Sequence, residues 1–303
     1  MSHLLTLFAN NILPIFLAAG AGFLLSKFKI INPRTVSAVA FYVFSPCLVF
    51  ILLTTGPING DEMTKIVAVT VSTILVLGAL VWLIGYALKV ERRLLAAVMI
   101  AAMFGNAGNY GLSLTFFAFG SDGMAYAGVY FVTTATLINS LGVVIASLGS
   151  TNLRGALIGL LKVPSIYAVL LALLANYLRW SPPVPLERTI SVLADAAVPT
   201  LLILLGIQLH KTQWYRGIQA LSLSTGMRLI VSPALAFIFA MLFGLNGTAQ
   251  QAIIAESATP TAVMATVLAT EYNIKPAFIT TAVFISTLLS PLTITPILAL
   301  LGA

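Results

Sequence analysis

Apolar runs of about 20 residues recur along the whole chain, each closed by a short polar or turn-forming break. As a helix, a run of that length matches the hydrocarbon thickness of a bilayer. The pattern predicts ten transmembrane helices, near 6–26, 35–55, 64–88, 93–118, 123–148, 163–180, 186–209, 217–243, 248–270 and 275–301. The breaks carry Asn32-Pro33, Gly56-Pro57, Gly120-Ser121, Ser181-Pro182-Pro183 and Asn246-Gly247, all turn formers. The piece 151–162 is too short to span and reads as an amphipathic connector on the membrane surface. Composition leaves no other solvent. The chain is 60% hydrophobic and 8% charged, where soluble domains are about 25% charged. The fold class is all-α, a polytopic membrane protein.

The net charge of +7 comes from basic residues placed singly or in short groups between the runs. That is how membrane chains set their orientation, and it argues against a nucleic-acid surface. Lys27, Lys29, Arg34, Lys89, Arg92, Arg93, Arg154, Lys162, Lys211, Arg216 and Lys275 fall in odd-numbered loops. Lys65, Arg179 and Arg188 fall in even-numbered ones. This skew predicts a plasma-membrane protein with odd loops in the cytoplasm and both termini outside. No Lys or Arg precedes the first apolar core, so 6–26 reads as a retained span rather than a cleaved signal. A single cysteine, Cys47, excludes an internal disulfide and a multi-thiolate metal site.

Two features repeat. VSAVAFYVFSPCLVFILL (36–53) and ISVLADAAVPTLLILLG (190–206) each carry a mid-span proline, Pro46 and Pro199. The fourth span is interrupted at 105–111, and the ninth at Ser257-Ala-Thr-Pro260. Five spans per half force the halves to insert in opposite directions. The expected organisation is two inverted five-helix repeats, 1–150 and 151–303, with helices 4 and 9 broken and crossing.

The fourth-span break reads FGNAGNYGLSL (104–114). Each glycine lowers helix stability by about 1 kcal/mol relative to Ala. Irregular backbone survives in a bilayer only when buried in protein or lining a wet cavity. A small-residue packing seam is the alternative. Asn106 and Asn109, with Tyr110 beside them, are candidates to contact a solute. In the ninth span, Thr259-Pro260-Thr261 cannot continue a helix without lost hydrogen bonds. Both breaks fall about 20 Å into their spans at 1.5 Å per residue, which predicts a crossing near the midplane. There the second half of each broken helix points its positive N-terminus at an anion. The first halves offer carbonyl oxygens to a cation or proton.

Three ionisable residues lie deep in spans: Asp195, Arg228 and Glu256. Such residues are costly in lipid and mark functional sites by default. Glu256, with Ser257, ends the first half of span nine and reads as the place of a coupling ion, Na⁺ or H⁺; a carboxyl that caps local backbone is the alternative. Asp195 and Arg228 lie at similar depth and read as a structural ion pair, or Arg228 neutralises an anionic substrate. On the fifth span, Tyr130, Thr133, Thr134, Thr136 and Asn139 border the cavity or serve as polar glue between helices.

These residues resemble the auxin efflux carrier family: the plant PIN-FORMED auxin exporters and bacterial relatives linked to malonate and other organic anions. The likeness covers nearly the whole chain. It is carried by PTLLILLGIQL (199–209), RLIVSPALAF (228–237), ATPTAVMATVLATEYNIKPAFITTAVFISTLLSPLTITPI (258–297) and the GN-x-GN-x-GL pattern at 105–112. The resemblance implies an elevator in which helices 1, 2, 6 and 7 form a scaffold and helices 3–5 and 8–10 move. It implies a homodimer through the scaffold. It places Asn106 at a substrate-contacting asparagine, Pro260 at the ninth-helix proline, and Thr54, Thr134 and Asn139 near the cavity. Ser113 stands where bacterial members carry proline, and the long cytoplasmic loop of many plant members is missing. Glu256 is similar to the ninth-helix glutamate of the more distantly related bile-acid sodium symporters, which bind Na⁺ there.

The expected function is secondary transport of a small organic anion, auxin-like or a dicarboxylate such as malonate. The alternatives are a Na⁺-coupled symporter of a larger amphipathic acid of the bile-acid type, and a membrane sensor or transceptor. An enzyme is disfavoured. There is no H-E-x-x-H or Asp-rich diphosphate motif, and the two histidines, His3 and His210, lie at span ends.

Overall fold

The computed structural model describes residues 2–147 and 163–303; the connector expected at 151–162 lies outside the described residues. Regular structure among them is helical. The helices are α1 His3–Phe28, α2 Pro33–Thr55, α3 Gly60–Ala87, α4 Arg92–Met103, α5 107–119, α6 121–146, α7 Pro164–Leu178, α8 Val184–His210, α9 Ile218–Leu242, α10 Gly247–Ser257, α11 Met264–Glu271 and α12 Pro276–Leu301. Seven stretches among the described residues are long and apolar enough to cross a bilayer. One of them, Ala107–Ala146, has 40 residues. At 1.5 Å per residue it would be about 60 Å long, roughly twice the hydrocarbon thickness. The chain solves this by turning at Gly120, whose φ of +69° is open to glycine. That turn separates α5 from α6.

Start signals act as the residues dictate. At α3, the Asn59 side chain accepts from the Glu62 amide at 2.8 Å and the Glu62 carboxylate accepts from the Asn59 amide, a reciprocal cap. Prolines shape the helices more gently than the sequence implies. A proline lacks the N–H and clashes with the carbonyl four residues back. Here the turn ahead of it widens to π geometry: 8–12 before Pro14, 40–44 before Pro46, and 227–231 before Pro233. Ser45 Oγ then donates to the Ala40 carbonyl at 2.8 Å. At α8 the helix loosens instead at Ala196, three residues ahead of Pro199.

Packing sorts the helices. α1 lies along the second half of α8, and α2 packs on α7 and on the first half of α8. α1 and α8 meet backbone to backbone: a Cβ at Gly206 would run into the Ala19 carbonyl, and one at Gly22 into the Ile203 carbonyl. Ser26 Oγ and His210 Nδ1 are 3.2 Å apart across the same seam. Separately, α3 packs on α4 and α9, α9 on α10, and α10 on α5 and α6, with α12 beside α4, α9 and α11. Outward faces are apolar, with Leu17, Leu24, Leu170, Leu174, Leu242 and Leu292 exposed. Trp82, Tyr86, Trp180 and Trp214 sit near helix ends, as aromatic residues do at membrane interfaces. The protein is a multi-pass integral membrane protein.

Candidate functional site at the helix crossing

The two breaks meet. α4 ends at Met103 and α10 at Ser257, and the extended residues that follow run antiparallel, Gly105 opposite Thr261. The Asn106 N–H donates to the Pro260 carbonyl at 2.7 Å, and the Ala262 N–H donates to the Phe104 carbonyl at 2.8 Å. Thr261 Oγ1 donates to the Ala101 carbonyl at 2.9 Å, while the Thr261 N–H donates to Ser286 Oγ at 3.0 Å. Each break thus supplies the partners that the other lost, which is what lets irregular backbone lie among packed helices. Gly105 is required by this approach: a Cβ there would lie 2.6 Å from Thr259 Oγ1 and 3.1 Å from the Arg228 guanidinium.

Beyond the crossing the chain turns helical again. α5 starts with a π turn at 107–111, and α11 starts at Met264. The residues that open them, Ala107, Gly108 and Asn109 on one side and Val263 and Met264 on the other, line a cavity of about 90 Å³ together with Asn106, Thr134, Asn139 and Gln208 and apolar residues such as Phe131. The next amides of α11 are already engaged, Ala265 N–H donating to the Ala262 carbonyl and Thr266 N–H to that of Val263. Asn109 Nδ2 reaches Gln208 Oε1 at 3.5 Å, and Asn139 Nδ2 donates to the Ala135 carbonyl at 2.8 Å. Asn106 Nδ2 and Thr134 Oγ1 are buried with no hydrogen-bond partner. Two positive helix ends and two uncommitted polar groups therefore point at one small space.

Four of the expected substrate residues, Asn106, Asn109, Thr134 and Asn139, are brought together here, and five are not. Tyr110 turns away from the cavity, its hydroxyl 3.1 Å from Ser290 Oγ and its ring edge-on to Phe16. Asn106 is not helical, with a ψ of +58°, so its side chain leaves the chain in a different direction from that of Tyr110 on the π turn. Thr259 Oγ1 donates to the Glu256 carbonyl at 2.6 Å, and Thr261 is spent on the stitches above. Pro260 contributes its carbonyl to the bridge. Thr54 Oγ1 donates back to Phe50 and Ile51 on α2, away from the cavity.

The expected Asp195–Arg228 ion pair is absent. Asp195 is exposed on α8, whereas Arg228 is fully buried on α9. Arg228 Nη1 donates to the Met103 carbonyl at 3.0 Å and approaches that of Ala102 at 3.4 Å, and Nη2 donates to the Ser257 carbonyl. Its anchors are thus the C-terminal ends of both first half-helices. Glu256 is fully buried too, and neither carboxylate oxygen has a hydrogen-bond partner. The carboxylate packs against Gly111, where a Cβ would overlap it. Ser257 Oγ donates to the Ile254 carbonyl at 2.7 Å. Ser113 is buried on α5 with its hydroxyl unpartnered; nothing in the structure explains its place there.

Sequence reasoning missed Gln208 and Phe131. Gln208 left a signal, a lone amide in the otherwise apolar run LLILLGIQLH. Phe131 left none.

A family model described as membrane transport protein matches residues 7–154 and 151–298. An uncharacterized transporter of Methanothermobacter thermautotrophicus is 25% identical over 93% of this chain and 94% of its own length. A candidate malonate transporter of Rhizobium meliloti is 26% identical over 86% of this chain and 84% of its own. The rice auxin efflux carrier component 3a is 32% identical over 45% of this chain and 23% of its own length. Matched from residue 7 to residue 298, the chain belongs to the membrane transport protein family that holds the auxin efflux carriers.

Proposed function

We propose that this protein is a secondary carrier, not an enzyme, for a compact organic anion, a dicarboxylate such as malonate or a small auxin-like acid. One observation carries the reading: the N-terminal ends of α5 and α11 share a small cavity with the unpartnered amide of Asn106. A carboxylate entering it would accept from Asn106 Nδ2, Thr134 Oγ1 and the amides that open α5. A volume of about 90 Å³ is far below the roughly 300–1,000 Å³ of pockets for drug-sized ligands. It favours a compact acid over a bile-acid-sized one.

In this reading the broken pairs α4–α5 and α10–α11 each count as one span. That makes ten spans in two inverted five-helix repeats, 1–150 and 151–303, with both termini outside the plasma membrane. The mutual packing of α1, α2, α7 and α8 supports their role as a scaffold shared by a homodimer, past which the remaining helices slide as an elevator. Glu256 is the residue at which a coupling proton would act.

Uptake of radiolabelled malonate and indole-3-acetate into proteoliposomes tests the proposal. Transport above empty vesicles is expected for at least one acid, with loss in Asn106→Ala. No transport of any small carboxylic acid, under pH or Na⁺ gradients in either direction, ends it.

A further inference from the structure

We infer that the Arg228 side chain is a built-in cation, seated where an ion-coupled carrier of this plan would hold Na⁺. The inference deepens the carrier reading and rests on its assignment of the crossing as the transport site.

The C-terminal end of a helix behaves like about half a negative charge carried on unbonded carbonyls. Two such ends, those of α4 and α10, meet at the crossing. Together they amount to about one negative charge, which is what a monovalent cation on oxygen ligands would neutralise. Here the oxygens are already engaged. The carbonyls of Ala102 and Met103 lie 3.4 and 3.0 Å from Arg228 Nη1, and that of Ser257 accepts from Nη2. The guanidinium also lies beside Glu256 and Tyr130, with all three side chains buried. A Na⁺ ion using Glu256 and these carbonyls would share its place with a fixed positive charge, so the residues present do not fit Na⁺.

The surrounding sequence is arranged for the arginine. Gly105 has no Cβ, and an added one would sit 3.1 Å from Cζ and Nη2 of Arg228. The residue is carried on the π turn 227–231, which forms ahead of Pro233. Arg228 does not itself line the anion cavity; it lies behind Gly105, which does. It is a positioning residue that holds the two half-helix ends together so that their partners, α5 and α11, aim at the cavity.

Removing the charge should therefore uncover a cation requirement. The test is thermal unfolding of the purified full-length protein in NaCl against choline chloride at equal ionic strength, for wild type, Arg228→Met and Arg228→Lys. Wild type and Arg228→Lys should be indifferent to the exchange. Arg228→Met should have a lower Tm that rises saturably with Na⁺, as mass action requires of a ligand bound only by the folded state. A merely structural arginine would lower Tm without creating a response to Na⁺. Saturable stabilisation of wild type by Na⁺ overturns the inference, as does an Arg228→Met protein that Na⁺ does not recover. The measurement needs no substrate, so failure of the anion assignment would leave its outcome readable.

Discussion

Replacing Asn106 by alanine separates recognition from folding at the crossing. The backbone of Asn106 is structural: its N–H holds Pro260 at 2.7 Å, and its carbonyl accepts from the amides of Tyr110 and Gly111 at 3.1 and 3.0 Å. The side-chain amide nitrogen bonds nothing and is buried at the cavity wall. Its φ and ψ of −79° and +58° lie on the negative-φ side, so alanine adds no left-handed strain there. Asn106→Ala therefore keeps every backbone stitch and loses no hydrogen bond of the amide nitrogen. What it removes is a donor for a carboxylate. A hydrogen bond to a charged group contributes about 1.5–3 kcal/mol. At 1.4 kcal/mol per decade, that is roughly a 10- to 150-fold weaker dissociation constant. Titrating the purified variant with the acid that wild type transports, by calorimetry or ligand-induced Tm shift, reads the change. The Tm without ligand should stay near that of wild type. Asn106→Asp should bind still more weakly, since it sets a carboxylate against an anion. A folded Asn106→Ala protein that binds the acid as tightly as wild type would refute the placement of the site.

Other consequences follow from particular contacts. Gly206→Val forces a side chain into the Ala19 carbonyl and the Phe23 amide across the α1–α8 seam; a loss of at least about 1–3 kcal/mol is expected in chemical unfolding. Thr261→Val strips the buried Ala101 carbonyl of its hydroxyl partner and should cost about 1–3 kcal/mol, with transport falling alongside stability. Lys275 and Glu91 pair at 2.9 Å, but both are well exposed; Lys275→Ala should change stability by less than about 1 kcal/mol, and raising salt should erase the difference.

Spacing along the chain made the broken helices legible. Glycines, asparagines and a proline at matched depth cannot all sit in an unbroken span, so Phe104–Asn106 and Thr259–Thr261 announced their own meeting. Azimuth was not legible. Counting residues predicts a similar depth for Asp195 and Arg228 on successive spans, yet one is exposed and the other fully buried, because nothing local says how a helix is rotated among its neighbours. Asn106 stands outside the helix while Tyr110 lies on the π turn 107–111, so closeness in sequence did not carry over, and Tyr110 went to Ser290 instead of the cavity. Thr259 and Thr261 were legible as polar residues at a break, but their partners, Glu256, Ala101 and Ser286, are set by tertiary packing.

The Gly105–Thr261 bridge also bears on how the chain is made. Its two strands are 156 residues apart in sequence. At roughly 5–20 residues per second of synthesis, the first break would wait about 8–30 s for the residues that complete it. Through that interval Phe104 and Asn106 have bare backbone groups in a nascent chain that must already be inserting. Either lipid must be kept from them by the insertion machinery, or α4 and α5 must remain outside the bilayer core until α10 and α11 arrive. Substitutions at this bridge should therefore register first as lost yield in the membrane, before any kinetic defect in the protein that survives.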